Sequence, residues 1–362
     1  MDTSILADVL ARAEDRSRVD RARSIGDWII YGAGRTGHKW AAALTGNGHR
    51  VHAFIDRQAT SGGELTGYKL AECPDALRRK CAVLLALHNP GADVAQVRHQ
   101  LLEAGYGEVW LLQDLIDAWP QLSHFWLAPA SETLPCKDDI AAAYGALSDA
   151  HSQALMVALL DQRLNGNAEV LPKPETETHY LPHGLPRPPS PARYVDCGAY
   201  TGDTIESLLR NGITFDEIAA FEPDPTNFPR LCKTIAPFRA AAFPCGVWDS
   251  MTQLHFSSDE DASHVDTAGD IIVQVVALDQ ALPNFAPTLI KMDIEGAEAR
   301  ALVGARKSIT CHRPFLAISA YHRPHDLWEL LLLVHRWDIG YRFHLRSHAY
   351  NGFDTVLYGE PA

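Results

Sequence analysis

Cysteine is sparse and carries no pattern. The seven residues, at 73, 81, 136, 197, 232, 245 and 311, include no C-x-x-C pair. An odd, scattered set excludes a disulfide framework and a zinc knuckle, so the expectation is reduced thiols in a cytoplasmic protein; carboxylates with His elsewhere are hard-cation ligand types, but no recognised metal-ligand spacing is present and no metal ligand is named. Positive charge is also in deficit: 32 Lys and Arg against 45 Asp and Glu give a formal charge of -13. That balance leaves no basic stripe to follow a nucleic-acid backbone. No apolar run approaches bilayer-spanning length, and the first residues mix Asp2, Glu14 and Asp15 with short apolar pairs rather than forming a signal peptide's core. What remains is an ordinary globular composition, 46% hydrophobic over 362 residues, long enough for two cores.

The chain begins with Ile5, Leu6, Val9 and Leu10 at helical spacing, which predicts a docking helix over residues 4–22. Next, DWIIYGAGRTGHKWAAAL reads as a buried strand, a G-x-G-x-x-G turn at Gly32, Gly34 and Gly37, and a helix. VHAFIDRQ is a second strand, and its acid Asp56 stands 19 positions after Gly37, where a dinucleotide domain holds a ribose. Strands in CAVLLALHNP and EVWLLQDL continue the alternation, so residues 24–115 predict a small α/β sheet. Such a turn serves either a nucleotide or close helix packing alone. The segment YGAGRTG…FIDRQ…GGELTGYKL resembles the N-terminal Rossmann-like module of sugar-nucleotide-modifying acyltransferases.

Residues 137–165 predict helices whose stripe of Ile140, Ala143, Leu147, Ala150, Leu155, Leu159 and Leu160 is read as core. The tract LPKPETETHYLPHGLPRPPSPA then carries seven prolines in 22 residues, too many for an element interior. It reads as a linker lying extended over the surface.

The α/β rhythm resumes at RYVDCGAYTGDT, which predicts a strand to Asp196, a tight turn through Gly198 and Gly202, and a helix opening at Asp203 and Thr204. Asp196 beside that turn repels pyrophosphate but suits a ligand with hydroxyls and a positive centre, as S-adenosylmethionine has. Glu222, 20 residues beyond Gly202 in FEPDP, should emerge beside the turn and accept both ribose hydroxyls. Gly246, Val247 and Trp248 offer an adenine slot, with plain core the other reading of Trp248. In TLIKMDIEGAE, Lys291, Asp293 and Glu295 alternate with apolar residues and are expected on one strand face as the floor of an active site. The strand PFLAISAYH should bring His322 to the crevice rim, where an imidazole titrating near neutrality can accept a proton.

In this order and spacing, YVDCGAYTGDT, FEPDPTNF, LIKMDIEGAE and AISAYH resemble the FkbM family of S-adenosylmethionine-dependent methyltransferases, over roughly residues 193–358. The resemblance implies a seven-stranded Rossmann-like domain that methylates a hydroxyl of a sugar, glycan or related natural product. Tyr200 stands where members often carry Asn. The resulting expectation is an α/β protein in three parts: a smaller Rossmann-like module at 1–120, a helical and Pro-rich connector at 121–191, and a methyltransferase domain at 192–362. Asp196, Gly198, Gly202, Asp203, Glu222 and Trp248 would hold S-adenosyl-L-methionine. Asp293 or His322 would be the base, with Lys291 and Glu295 positioning a small-molecule, sugar or glycan acceptor. Two alternatives remain at this stage, a nicotinamide-dependent sugar-nucleotide oxidoreductase built on the first glycine turn and a non-catalytic sugar-nucleotide-binding adaptor.

Overall fold

The apolar runs of the first hundred residues become one sheet. In the computed structural model, which describes residues 4–58, 66–87, 89–123, 126–176, 179–257, 264–265 and 271–362, the strands are β1 (Asp27–Tyr31), β2 (Arg50–Ile55), β3 (Thr66–Tyr68), β4 (Ala82–Leu85) and β5 (Val109–Leu111). They run in the order β3-β2-β1-β4-β5, and every pairing is parallel. Trp28, Ile29 and Ile30 in the central strand are all fully buried, because helices cover both faces of a parallel sheet. This sheet belongs to a compact unit made of Met1–Ala141, Ala154–Pro174 and Ala349–Phe353.

The helix expected over 4–22 is broken into Ser4–Ala13 and Ser17–Ser24. Asp15 causes the break, since its carboxylate accepts the Ser17 N–H at 2.9 Å and the Ser17 hydroxyl at 3.0 Å, a local bond that competes with the helix. The strand expected through EVWLLQDL stops at Leu111, where a helix, Leu112–Ile116, begins. At the glycine turn, a Cβ on Gly37 would lie 2.0 Å from the Gly32 carbonyl oxygen, so close packing requires this glycine. Asp56 Oδ2 accepts the Ala33 N–H at 2.9 Å and braces the turn, while its Oδ1 accepts the Gln58 N–H at 2.8 Å within its own loop. Residues 62–65 of the quoted GGELTGYKL segment lie outside the described residues.

Asp114 gives this unit a measurable pH signature. Its side chain is completely buried against Arg18 and accepts the Leu111 N–H at 2.9 Å. Burial outweighs Arg18 and raises its pKa from 3.8 to about 6. An acid with a raised folded pKa contributes stability below its unfolded pKa and loses that contribution as pH climbs toward the folded one. Asp114→Asn should therefore gain on the wild type between pH 4 and 7, by up to about 3 kcal/mol at roughly 1.4 kcal/mol per pKa unit. Urea melts of both proteins across that range check it, and a pH-independent difference would contradict it.

The second unit comprises Ala142–Gln153, Glu175–His348 and Asp354–Ala362. Its strands are β6 (Ala192–Cys197), β7 (Phe215–Phe221), β8 (Ala240–Phe243), β9 (Gly246–Trp248), β10 (Thr252–Ser257), β11 (His264–Val265), β12 (Ile271–Ala277), β13 (Leu289–Met292), β14 (Phe315–Ser319), β15 (Tyr341–Ser347) and β16 (Thr355–Pro361). Seven of them form a sheet in the order β15-β16-β14-β13-β6-β7-β8, parallel except where β16 pairs antiparallel with β14 and β15. This is the seven-stranded sheet that the family resemblance implies, closed by an antiparallel pair. A smaller sheet of β11-β10-β12-β9 accompanies it. Tyr194, Ile218, Ala220, Leu289, Phe315 and Tyr358 are among the buried residues of the core. Chain order reverses at β6, which lies between β13 and β7, and the carboxyl ends of strands at such a switch point open a crevice.

The helices over 137–165 form as Lys137–Ala146 and Ala150–Asn165, and every residue of the expected stripe is buried except Ala150. Among the described residues, no helix is long and apolar enough to cross a membrane.

Candidate active site

A cavity of about 810 Å³ lies at the switch point, entirely within the second unit. Its wall comes from the turn after β6 (Gly198, Tyr200, Asp203), the end of β7 (Glu222, Asp224), the β9 segment Gly246–Trp248, and the β13 end (Lys291, Asp293, Glu295). Local chemistry brings each piece to the edge. Gly198 has φ +77°, and a Cβ there would meet the Asp293 carbonyl oxygen at 1.9 Å. A Cβ on Gly202, φ +86°, would meet Thr234 Cγ2 at 2.6 Å. These glycines thus let the turn pack against protein, a tighter reason for them than clearance for a ligand.

Glu222 follows β7 directly and is 7% exposed. Its Oε2 accepts the Tyr200 N–H and its Oε1 the Asp224 N–H, both at 2.8 Å. A carboxylate offers about four acceptor positions, so two remain for a ligand in the cavity it lines. Asp203 and Thr204 begin the helix Asp203–Arg210 and face the same space. Trp248 lines it as well, with the Arg300 guanidinium 5.8 Å from its ring centroid.

Asp196 occupies a different position from the one expected at the ligand. Its side chain is fully buried and pairs with Lys291 Nζ at 3.2 Å. The two residues are in register across β6 and β13, so the pair follows from strand pairing. Lys291 Nζ also donates to the Gly198 carbonyl at 2.6 Å. Burial alone would lower the Lys291 pKa, but Asp196 and then Asp293 raise it, so the ammonium stays charged and ties the glycine turn to β13.

The expected strand face of Lys291, Asp293 and Glu295 does not form. β13 ends at Met292, Asp293 lies beyond it, and Glu295 takes a left-handed φ of +55° beside Gly296 at +90°. The turn nevertheless brings all three to the cavity. Burial would raise the Asp293 pKa, but Lys291 and His322 outweigh it and hold the carboxyl below its usual range.

His322 departs furthest from expectation. It is 1% exposed and sits behind Asp293 and Glu295 rather than at the rim. Burial alone would lower its pKa. Glu298, then Asp293 and Glu295, outweigh that and raise it to about 10, so no ionisation near neutrality belongs to it.

Two wall residues escaped the sequence reading because they sit in the Pro-rich tract. Tyr180 donates its hydroxyl to Asp293 Oδ2 at 3.0 Å, while its N–H reaches the Tyr358 hydroxyl at 3.1 Å. His179 stacks on Tyr180 at 3.9 Å between centroids and on His348 at 4.8 Å. Burial first, then His348, lowers the His179 pKa to about 3, leaving a neutral imidazole on the wall. The tract is therefore part of the site as well as a connection. An aromatic pair, HY, inside a proline-rich run was the available signal; residues 177–178 just before it lie outside the described residues.

A seven-stranded sheet of this order, with an acidic ligand cavity at its switch point, defines a Rossmann-like methyltransferase fold. Residues 196–343 match the Methyltransferase FkbM domain. In structure, the chain is similar to Methyltransferase FkbM from Methylobacillus flagellatus KT, with a TM-score of 0.76 and 24% identity, covering 99% of this chain and 98% of that one. Weaker likenesses include Aeropyrum pernix fibrillarin in complex with S-adenosyl-L-methionine, with a TM-score of 0.32, 11% identity, and coverage of 49% of this chain and 70% of that one. Precorrin-6y C5,15-methyltransferase from Geobacter metallireducens GS-15 has a TM-score of 0.30, 10% identity, and coverage of 48% and 81%. No curated protein matches the sequence.

Proposed function

We propose that the domain transfers a methyl group from S-adenosyl-L-methionine to a hydroxyl of a sugar, glycan or related natural product. The observation that carries this reading is the charge of the cavity wall. Asp203, Glu222, Asp224, Asp293 and Glu295 face one cation, Lys291, which is already engaged by Asp196 and the Gly198 carbonyl. Such a wall attracts a sulfonium and repels a pyrophosphate, which favours S-adenosylmethionine over a nicotinamide dinucleotide. Glu222 would take the ribose hydroxyls and Trp248, with Val247, the adenine. Gly198 and Asp203 would complete the cofactor's surroundings, and Asp196 and Gly202 would act by shaping the turn.

Methyl transfer is an in-line displacement. A C–O bond forms as the C–S bond breaks, the electron pair stays on sulfur, and the hydroxyl proton must leave. Holding the acceptor oxygen close and collinear supplies much of the rate. Asp293, ionised and hydrogen-bonded by Tyr180, is placed to orient that hydroxyl, with Glu295 beside it and His322 behind it.

Calorimetry with S-adenosylhomocysteine tests the cofactor assignment, and transfer of labelled methyl to sugar acceptors tests the reaction. Glu222→Ala should weaken S-adenosylhomocysteine by about 1–3 kcal/mol, since it removes charge-assisted bonds to two hydroxyls. Unchanged affinity would remove Glu222 from the site, and absence of wild-type binding would end the cofactor assignment.

A further inference from the structure

Among the described residues, seven other than glycine take a left-handed φ, and three of them, Tyr180 (+66°), Tyr200 (+48°) and Glu295 (+55°), line the cavity of the candidate site. Of the other four, Asp338, Asn351 and Asp354 are residue types that tolerate this conformation, and Arg313 caps a helix C-terminus. A bulky side chain held in the left-handed region costs free energy that some interaction must offset, and such positions gather at ligand walls.

Two of the three are held by the protein itself. Tyr180 gives its N–H to the Tyr358 hydroxyl and its own hydroxyl to Asp293. Glu295 sets its Oε2 3.4 Å from Nε2 of the charged His322. Tyr200 differs. Its N–H donates to Glu222 Oε2 at 2.8 Å, a bond that glycine would make without strain. Its side chain forms no hydrogen bond, ion pair or ring contact among the described residues, and the residue is 53% exposed. Those residues give no reason for an aromatic ring at this turn, so the reason is sought in what fills the cavity.

We propose that Tyr200 binds the nucleoside half of S-adenosylmethionine, its ring packing over the ribose that Glu222 holds. The Glu222 carboxylate fixes the Tyr200 N–H and keeps acceptor positions for a ligand in the cavity, so Tyr200 and a ribose on Glu222 are neighbours. This assignment rests on the methyltransferase reading, which gives Glu222 the ribose. Closing over the ligand takes a large apolar ring face out of water while the phenol hydroxyl stays solvated. The contact then offsets the backbone strain, which the free protein carries uncompensated. A tyrosine between Gly198 and Gly202 gives no sign in the sequence of its left-handed backbone.

Calorimetry with S-adenosylhomocysteine and thermal melts of the full-length protein test this on Tyr200→Gly and Tyr200→Phe. Tyr200→Gly removes the ring and should weaken S-adenosylhomocysteine about tenfold, in the range for truncating a tyrosine that carries binding energy. Without ligand it should melt no lower than wild type, because glycine takes φ +48° without strain. Tyr200→Phe keeps the packing face and should bind within about twofold of wild type. Equal affinity in Tyr200→Gly overturns the proposal, and slower methyl transfer beside that equal affinity would put the ring on the acceptor instead. A lower melting temperature in ligand-free Tyr200→Gly also overturns it, since the ring would then be packed into the fold. If the wild type does not bind S-adenosylhomocysteine, the methyltransferase reading fails as well. Equal binding by wild type and Tyr200→Gly leaves that reading intact and removes only Tyr200, so the two failures are distinguishable.

Discussion

Lys291→Met should destabilise the protein by about 3–5 kcal/mol, the usual consequence of leaving a buried charge without its partner. The Asp196 side chain is fully buried and that of Lys291 is 4% exposed, with 3.2 Å between the charges. Removing the ammonium leaves a carboxylate with no route to water, and the turn also loses the bond from Nζ to the Gly198 carbonyl. Asp196→Leu combined with Lys291→Met removes both charges from the same strand pair, and apolar replacements of buried pairs are often neutral. The double variant should therefore regain most of the lost stability without regaining a well-shaped glycine turn. Urea melts of the single and double variants measure this. A double variant as unstable as the single would mean that the damage comes from packing rather than from the unpaired charge.

This pair shows how far the sequence could be read. Alternating strands and glycine turns made an α/β sheet legible, because hydrophobic runs and Gly198 and Gly202 are local signals, and the family resemblance supplied its seven strands. The acid at position 222 could be placed because one helix and one strand carry the chain back to the same edge. Which residue faced the ligand was not local information. Asp196 and Lys291 both look like site residues in the sequence; parallel register sets them opposite each other, so Lys291 lines the cavity while the Asp196 side chain is spent, fully buried, on their ion pair. His322 follows a strand and looked like a rim residue, yet β14 ends at Ser319 and the chain then carries the ring behind Asp293 and Glu295. Tyr180 and His179 were hidden for the opposite reason. Proline density argued against a long helix or strand through the tract but gave no sign that two of its side chains meet residues more than a hundred positions away.

Asp293→Asn should lower kcat by about 10²- to 10⁴-fold with S-adenosylhomocysteine affinity near that of wild type, a range typical for loss of a group that orients or deprotonates a reacting hydroxyl. The amide keeps the shape, and its oxygen can still accept the Tyr180 hydroxyl that Asp293 Oδ2 accepts at 3.0 Å. What it loses is negative charge between Lys291 and His322, the two cations that hold the native carboxylate ionised. Since the cofactor's ribose and adenine are assigned to Glu222 and Trp248 across the cavity, binding of S-adenosylhomocysteine should not report the change. The acceptor's KM should rise together with the fall in kcat, because the hydroxyl is held by the same oxygen in the ground state and as its proton leaves. Tyr180→Phe separates orientation from charge: it leaves Asp293 ionised, still held by His322 and Ser319 but without the bond to Oδ2, and a loss of about tenfold in kcat is expected from misalignment alone. Steady-state kinetics on the two variants, with cofactor affinity measured beside them, checks the argument. If Asp293→Asn retained full kcat, the reacting hydroxyl would lie elsewhere on the wall, and neutral His179 would be the next residue to replace.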